Sequence, residues 1–232
     1  MKHFYKPDIE SNFLNPEESH YAVRVLRLNK GEECIVFNGK ETVQKAICIN
    51  PDPNKMELRI IDTEIRKVPA YRQIHIAISP TKKMDKMEWF VEKCIEIGIG
   101  KITFLKTDHG IRNKLRIDRL NKLVLSAGRQ SGNFYLPEII ALNDFKTLID
   151  QSKESNKFIA HVDTKNELSV YDLKKTSSDF LILIGPEGDF SDNEIELAHK
   201  NGFRSLSLGK SRLRTETAGL VACVQLNYLI NK

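Results

Sequence analysis

The sequence predicts an α/β protein, in which a C-terminal domain with a largely parallel sheet follows a small β-barrel-like module. Three observations carry that expectation. After residue 70, short apolar runs alternate with helical patterns, as in a sheet whose parallel strands are joined by crossover helices. Before it, one short helix is followed by several strand-like runs and a hairpin turn. Between the two, Val68-Pro69-Ala70 interrupts both patterns.

The elements follow in order. Asn15 is an N-cap candidate, Pro16 suits the first helical position and Glu17 and Glu18 suit the first turn, so a helix starts there and runs into SHYAVRVLRL. Glu33 to Phe37, the Asn38-Gly39 turn and Thr42 to Ile49 read as a hairpin, with a further strand from Met56 to Ile65. Beyond the divide, Gln73 to Ile78 is a strand, Met84 to Ile97 a helix, Ile102 to Leu105 a strand and Ile117 to Gln130 a helix. Phe158 to Val162 and Phe180 to Ile184 are strands, a capped helix begins at Ser191, Arg204 to Leu208 is the last strand and Thr215 to Leu229 the last helix. Trp89 alternates with charge along its helix and is expected to pack in the core rather than stack on a base.

Composition bounds the function. The 232 residues suffice for one large domain or two modest ones, and 41% hydrophobic with 29% charged residues describes an ordinary globular chain. The segment MKHFYKPDIE has no apolar stretch, and no run approaches the roughly 18 apolar residues of a membrane span, so the expected address is cytoplasmic with no membrane partner. Cys34, Cys48, Cys94 and Cys223 are far apart inside apolar runs, which predicts buried, reduced thiols. The six histidines lack ligand spacing, so no metal is expected.

Net charge is +5, yet residues 1–70 carry 11 basic and 11 acidic side chains, so the excess lies later. Residues 101–129 hold eight Lys or Arg against Asp108 and Asp118, and 200–214 hold Lys200, Arg204, Lys210, Arg212 and Arg214 with no acid. These segments flank an acidic stretch from Glu187 to Glu196. Clustered positive charge points to nucleic acid; solvated helix and loop faces are the alternative.

The stretch from Leu181 to Ala218, LILIGPEGDFSDNEIELAHKNGFRSLSLGKSRLRTETA, carries the chemistry. Two apolar strands each run into a Gly-containing polar loop, and loops side by side at strand ends build a ligand crevice. In the first, Gly185 and Gly188 permit close backbone approach and Pro186 stiffens the turn, while Ser191 with Glu194 forms a capping box. Its spacing matches neither GxGxxG nor GxxxxGK[ST], and a tight turn without ligand is the alternative. In the second, Thr215 is placed to cap the last helix and Glu216 to complement its dipole. Arg214 fits neither purpose, because positive charge is disfavoured at a helix N-terminus without an anionic partner. It reads as a functional arginine, or else as a surface partner of Glu187 or Asp189.

GPEGDFS followed by LG and LRTETA resembles the RsmE family, SPOUT-class enzymes that methylate N3 of a uridine in 16S ribosomal RNA. His20 to Arg27 (HYAVRVLR) resembles the family's N-terminal element, Glu92 to Gly98 its QKxxELG helix, and Gln130-Ser131 with Leu136-Pro137 its EQSxR…P element. The resemblance spans essentially the whole chain, and the paired GPEG and LRTETA motifs are its specific part. It implies a PUA-like RNA-binding domain at 1–70 and a SPOUT methyltransferase domain at 71–232 with a deep trefoil knot. It also implies a homodimer and S-adenosylmethionine (SAM) held by Gly185, Pro186, Glu187, Gly188, Leu208, Gly209, Leu213, Arg214 and Thr215. Asp189 stands where the family has a second glycine, Arg129 where it has an acid, Asn133 where a basic residue is common, and Ser211 and Arg212 where Arg and Ile are usual.

Chemistry completes the reading. Uridine N3 becomes a nucleophile once its proton leaves and the charge on O2 and O4 is stabilised; Arg214 is the candidate for that stabilisation. Glu216 or Glu187 is placed to take the proton, or to orient Arg214. Glu187 and Asp189 could offset the sulfonium charge. For RNA docking, Arg24 and Arg27 lie three apart with His20 one turn earlier, and Lys82, Lys83, Lys86, Arg112, Lys114, Arg116 and Arg119 supply phosphate contacts. The alternatives are a SPOUT-class methyltransferase acting on another RNA and a non-catalytic RNA-binding protein.

Overall fold

Asn15 caps the first helix, its side-chain oxygen accepting the Glu18 amide at 2.8 Å, and Pro16 opens α1 (Pro16–His20). The helix then widens into a π turn, Tyr21–Val25, closed by the Leu26 amide on the Tyr21 carbonyl. Arg27 leaves it in a left-handed conformation, φ +51°. The three-residue spacing expected to align Arg24 and Arg27 with His20 on one helical face is therefore interrupted, because a π turn carries more residues per turn and Arg27 is outside the helix. All three side chains are exposed.

The computed structural model describes residues 1–111, 114–162, 168–174 and 178–232. By internal contacts it forms two units, Met1–Pro69 with Gly128–Leu136, and Ala70–Ala127 with Pro137–Lys232. In the first, β1 (Lys2–Tyr5), β2 (Glu33–Phe37), β3 (Thr42–Asn50) and β4 (Glu57–Ile65) form one sheet in that order. β1 runs parallel to β2; the other pairs are antiparallel. β1 was not expected, since four residues with a single buried apolar side chain, Phe4, show no clear period. Phe4, Leu28, Val36, Met56 and Leu58 make the core. Segment 128–136 joins this unit through Phe134, stacked on Phe37 at 4.7 Å, and through the Leu136 amide on the Gly39 carbonyl. Here too Arg129 pairs with the buried Glu18 carboxylate, which also accepts the Tyr5 amide.

The second unit holds β5 (Ile74–Ile78), α2 (Met84–Ile97), β6 (Lys101–Lys106), α3 (Ile117–Ser131), whose last turn belongs to the first unit, and β7 (Glu138–Asp144). It continues with α4 (Phe145–Gln151), β8 (Asn156–Ala160), β9 (Phe180–Ile184), α5 (Asp192–Lys200), the two-residue β10 (Arg204–Ser205) and α6 (Thr215–Asn231). The sheet runs β10-β8-β9-β5-β6-β7, every ladder parallel. β5 and β9 sit side by side at its centre, all ten residues buried, so their continuous apolar runs are those of strands covered on both faces. β9 inserts between β5 and β8, and the strand order reverses there, which is where α/β sheets open a crevice beyond the strand C-termini.

α6 lies close on α2 and β5: a Cβ on Gly219 would come within 2.5 Å of the Phe90 ring. All four cysteines are free and buried. Trp89 corrects the expectation of a core residue, since it is 42% exposed on α2.

At the opposite end of β5 from the crevice, buried His75 bridges Glu154 (Nδ1 to Oε1, 2.7 Å) and Thr103 (Nε2 to Oγ1, 2.8 Å). Burial lowers the imidazole below its ordinary 6.5 despite the carboxylate, so His75 is neutral, donating from Nδ1 and accepting the Thr103 hydroxyl. Burial pushes Glu154 up, but the His75 bond and backbone amides outweigh it and hold the acid at about 2. Both folded values lie below the unfolded ones, so the folded state binds fewer protons and stability falls on acidification, below pH 6.5 for His75 and below pH 4.5 for Glu154. His75→Gln is expected to lose roughly 1–3 kcal/mol at pH 7, yet to show a flatter decline of Tm between pH 6.5 and 4.5. Thermal unfolding across that range checks it.

Candidate active site

β9 ends at Ile184, and Gly185-Pro186-Glu187-Gly188-Asp189 turns the chain into α5. Ser191 caps α5 as its residue type predicts: its hydroxyl accepts the Glu194 amide, while the Glu194 carboxylate accepts the Ser191 amide at 2.9 Å. Glu194 also accepts the Asp108 amide, and the Ser191 hydroxyl donates to Asp108 Oδ2 at 2.5 Å, tying this turn to the loop after β6. From β10 the chain passes through Leu206 to Leu213 and enters α6 at Arg214.

These segments surround one cleft of about 720 Å³. Gly185, Pro186 and Glu187 line one side, Leu208, Gly209, Leu213, Arg214 and Thr215 another, and Ala160 to Val162 at the end of β8 a third. Of the residues expected to hold the cofactor, only Gly188 does not line it; its carbonyl lies 3.1 Å from His109 Nδ1, facing the loop after β6. Ala160, His161 and Val162, outside the stretch singled out in the sequence, also line the cleft, as do Leu206, Ser207 and Ala218 within it, to which no role was assigned. The predicted strand from Phe158 was the available signal, but only the position of β8 beside β9 makes its C-terminal end part of this wall.

The charged groups have distinct surroundings. Arg214 occupies the N-cap of α6, exposed, without a side-chain cap bond, and its guanidinium has no partner among the described residues. Thr215, expected to cap α6, is instead its first helical residue and is buried, because the extended backbone (φ −72°, ψ 154°) belongs to Arg214. Glu216 is only 7% exposed, does not line the cleft and pairs with Lys86 of α2 at 3.0 Å. Glu187 is exposed on the cleft wall; its backbone carbonyl receives Arg212 at 3.5 Å while its carboxylate has no partner among the described residues. Asp189 places both carboxylate oxygens on backbone amides, Val162 at 2.9 Å and Phe190 at 2.8 Å. A surface pair of Arg214 with Glu187 or Asp189 does not form.

Residues 68–227 match the RNA methyltransferase domain family, and residues 14–61 match the RNA methyltransferase PUA domain. The "Ribosomal RNA small subunit methyltransferase E" of Mesomycoplasma hyopneumoniae is 31% identical over 95% of this chain and 96% of its own length. The chain belongs to the RsmE family. The "Ribosomal RNA small subunit methyltransferase E" of Buchnera aphidicola is 29% identical over 97% of this chain and 92% of its own length. The solved structure of a probable rRNA-methyltransferase from Porphyromonas gingivalis is 37% identical, covers 100% of this chain and 99% of its own, and superposes with a TM-score of 0.91. The Ribosomal RNA small subunit methyltransferase E of Neisseria gonorrhoeae, solved bound to S-adenosyl methionine, is 26% identical over 99% of this chain and 98% of its own, with a TM-score of 0.87. RsmE membership gives the two units their kinds, an N-terminal PUA-like domain and an α/β methyltransferase domain.

The basic residues expected to meet RNA have diverse settings in this RsmE-family chain. Lys82 and Lys83 are exposed just before α2, with Lys83 at its N-cap position, and Arg116 is exposed one residue before α3. Lys86 is occupied by Glu216, and Arg119 by Glu88 at 2.6 Å. Arg112 lies outside the described residues.

Proposed function

We propose that this protein methylates N3 of a uridine in 16S ribosomal RNA with SAM as methyl donor, within the small ribosomal subunit and hence in the cytoplasm. One observation carries the reading: Gly185 to Glu187, Leu208 with Gly209, and Leu213 to Thr215 line a single cleft, and among the described residues the Arg214 guanidinium and the Glu187 carboxylate on it have no partner. The relatives named as ribosomal RNA methyltransferases supply the substrate class.

The cleft suits SAM. It is large enough for a nucleoside with an amino-acid tail, its lining combines apolar residues such as Ile184, Leu206 and Leu208 with polar ones, and Gly209 at φ +140° opens the backbone to close approach. Gly185 to Glu187, Leu208, Gly209 and Leu213 to Thr215 would hold it. When bound, SAM supplies a methyl group made electrophilic by its sulfonium. Arg214 then stabilises the negative charge that develops on the uracil carbonyls as N3 loses its proton. Glu187 is our choice as acceptor of that proton, since the other two acids are committed, Glu216 to Lys86 and Asp189 to backbone amides.

In the proposed division of labour, residues 1–70 form the RNA-docking domain, with His20, Arg24 and Arg27 toward phosphates, joined by Lys82, Lys83, Arg112 and Arg116 from residues 71–232. The first domain would close as a barrel and the second would be knotted. Insertion of β9 between β5 and β8, with the chain returning from edge strand β10 to α6 against β5, supports threading of the C-terminal segment. Exposed Trp89 on α2 with Val224 and Tyr228 on α6 supports a homodimer, because these two packed helices leave large apolar side chains in water.

Nucleoside mass spectrometry tests the reading. Ribosomal RNA from a strain lacking this protein is expected to lose 3-methyluridine, and purified protein with SAM is expected to restore it on small subunits from that strain. Persistence of the modification overturns the substrate. Methylation of a different RNA selects the other SPOUT-class activity, and failure to bind SAM selects the non-catalytic binder.

A further inference from the structure

Asp189 adopts φ +63°, a left-handed conformation that, glycine apart, is open mainly to asparagine and aspartate, whose short side chains bond nearby backbone. Those bonds are visible here. The β8–β9 ladder stops at Ala160 opposite Ile184, and two residues further on Pro186 has no N–H to continue it. The Val162 amide, beyond the last pair, donates to Asp189 Oδ2 at 2.9 Å, while Oδ1 accepts the Phe190 amide at 2.8 Å. From the other side His109 Nδ1 lies 3.1 Å from the Gly188 carbonyl and 3.0 Å from that of Asp189, and donates to them. The turn is thus pinned on both flanks, and Val162 and Asp189 both line the cleft.

We propose that Asp189 is a positioning residue whose carboxylate supplies, through the Val162 amide, the next rung the β8–β9 ladder lacks, holding the Ala160–Val162 wall against the Gly185–Glu187 wall at the spacing that accepts the methyl donor. This rests on the reading of the cleft as the SAM site. It assigns Asp189 a role distinct from neutralising the sulfonium. Both of its oxygens are spent on amides, which leaves Glu187, whose carboxylate has no partner among the described residues, as the acid able to answer that charge. A wall fixed before the ligand arrives lowers the ordering cost of binding.

Two variants separate position from charge. Asparagine tolerates the left-handed backbone and keeps one carbonyl acceptor but no charge; glycine adopts the backbone freely and has no acceptor. Calorimetry with SAM and with its neutral product S-adenosylhomocysteine is the first readout, and amide hydrogen exchange at Val162 in the ligand-free protein is the second. Asp189→Gly is expected to weaken both ligands equally, about 10-fold, and Asp189→Asn to stay within about 3-fold of wild type. Val162 protection is expected to be lost in the glycine variant and largely kept in the asparagine variant. Wild-type affinity in Asp189→Gly overturns the proposal, as does a loss shared by both variants but confined to SAM, which marks a charge effect. If the wild-type protein binds neither ligand, the cofactor reading fails, and Val162 exchange still judges the stitch.

Discussion

Arg214→Ala is expected to lower the rate of methyl transfer by about 10²–10³-fold while SAM affinity stays within about 3-fold of wild type, as removal of one preorganised donor from a charge-stabilising site does. The geometry supports this split. Arg214 lines the cleft, and alanine keeps its backbone there, whereas its guanidinium is without a partner among the described residues. A cation at a helix N-terminus opposes the dipole of α6, and no side chain among the described residues pairs with the Arg214 guanidinium to offset that cost. In the proposed mechanism the anion that satisfies it arrives with the substrate, as the uracil carbonyls gain charge. Arg214→Lys is expected to recover only part of the rate, because a point charge cannot reproduce the planar fork of donors. Single-turnover methylation alongside calorimetry separates the effects, and parallel loss of binding and rate would show that Arg214 serves the cofactor instead.

Arg129→Leu is expected to destabilise the N-terminal unit by about 3–5 kcal/mol at pH 7.5, the cost of leaving a buried charge without its partner. Glu18 is 2% exposed, and Arg129 is its ion-pair partner, with the guanidinium 4.8 Å from the Tyr21 ring centroid. Burial raises the Glu18 carboxyl above its ordinary 4.5, while Arg129 and the Tyr5 amide pull it back. Without Arg129 the folded-state value rises further. A group whose folded value lies above the unfolded one binds more protons when folded, so stability is gained as pH falls toward 4.5. The defect is therefore expected to shrink between pH 7.5 and 5, and Glu18→Gln to rescue part of it at neutral pH. Denaturant unfolding at both pH values provides the check. The pair also explains the departure at Arg129: its charge is used inside the N-terminal unit.

Much of the fold was legible because its signals are local. The capping box of Ser191 and Glu194 and the Asn15 cap with Pro16 depend on residues three positions apart, and both form as read. The central strands announced themselves as short unbroken apolar runs. β7 and α4 were overlooked, since strand Glu138–Asp144 is half exposed and mixes charge with its apolar residues, and the seven-residue α4 follows without a loop. Trp89 misled because an aromatic between charges looks the same on a buried face and on a bare one.

The sequence by itself determined the element types, the helix caps, the loops that carry glycine and charge, and the family those loops resemble. Each is settled by neighbours a few residues away or by the identity of a short motif. Only the tertiary structure decided which charges are free. Glu216 meets Lys86, Asp189 meets the Val162 amide and Glu18 meets Arg129, all across long stretches of chain. A carboxylate's chemistry follows from its partner and its burial, created for Glu216 and Asp189 when β9 slots between β5 and β8 and α6 closes on α2, and for Glu18 when segment 128–136 joins the N-terminal unit. That is why Glu187, Asp189 and Glu216 read alike in the sequence, and why the fold leaves Glu187 on the cleft wall without a partner among the described residues.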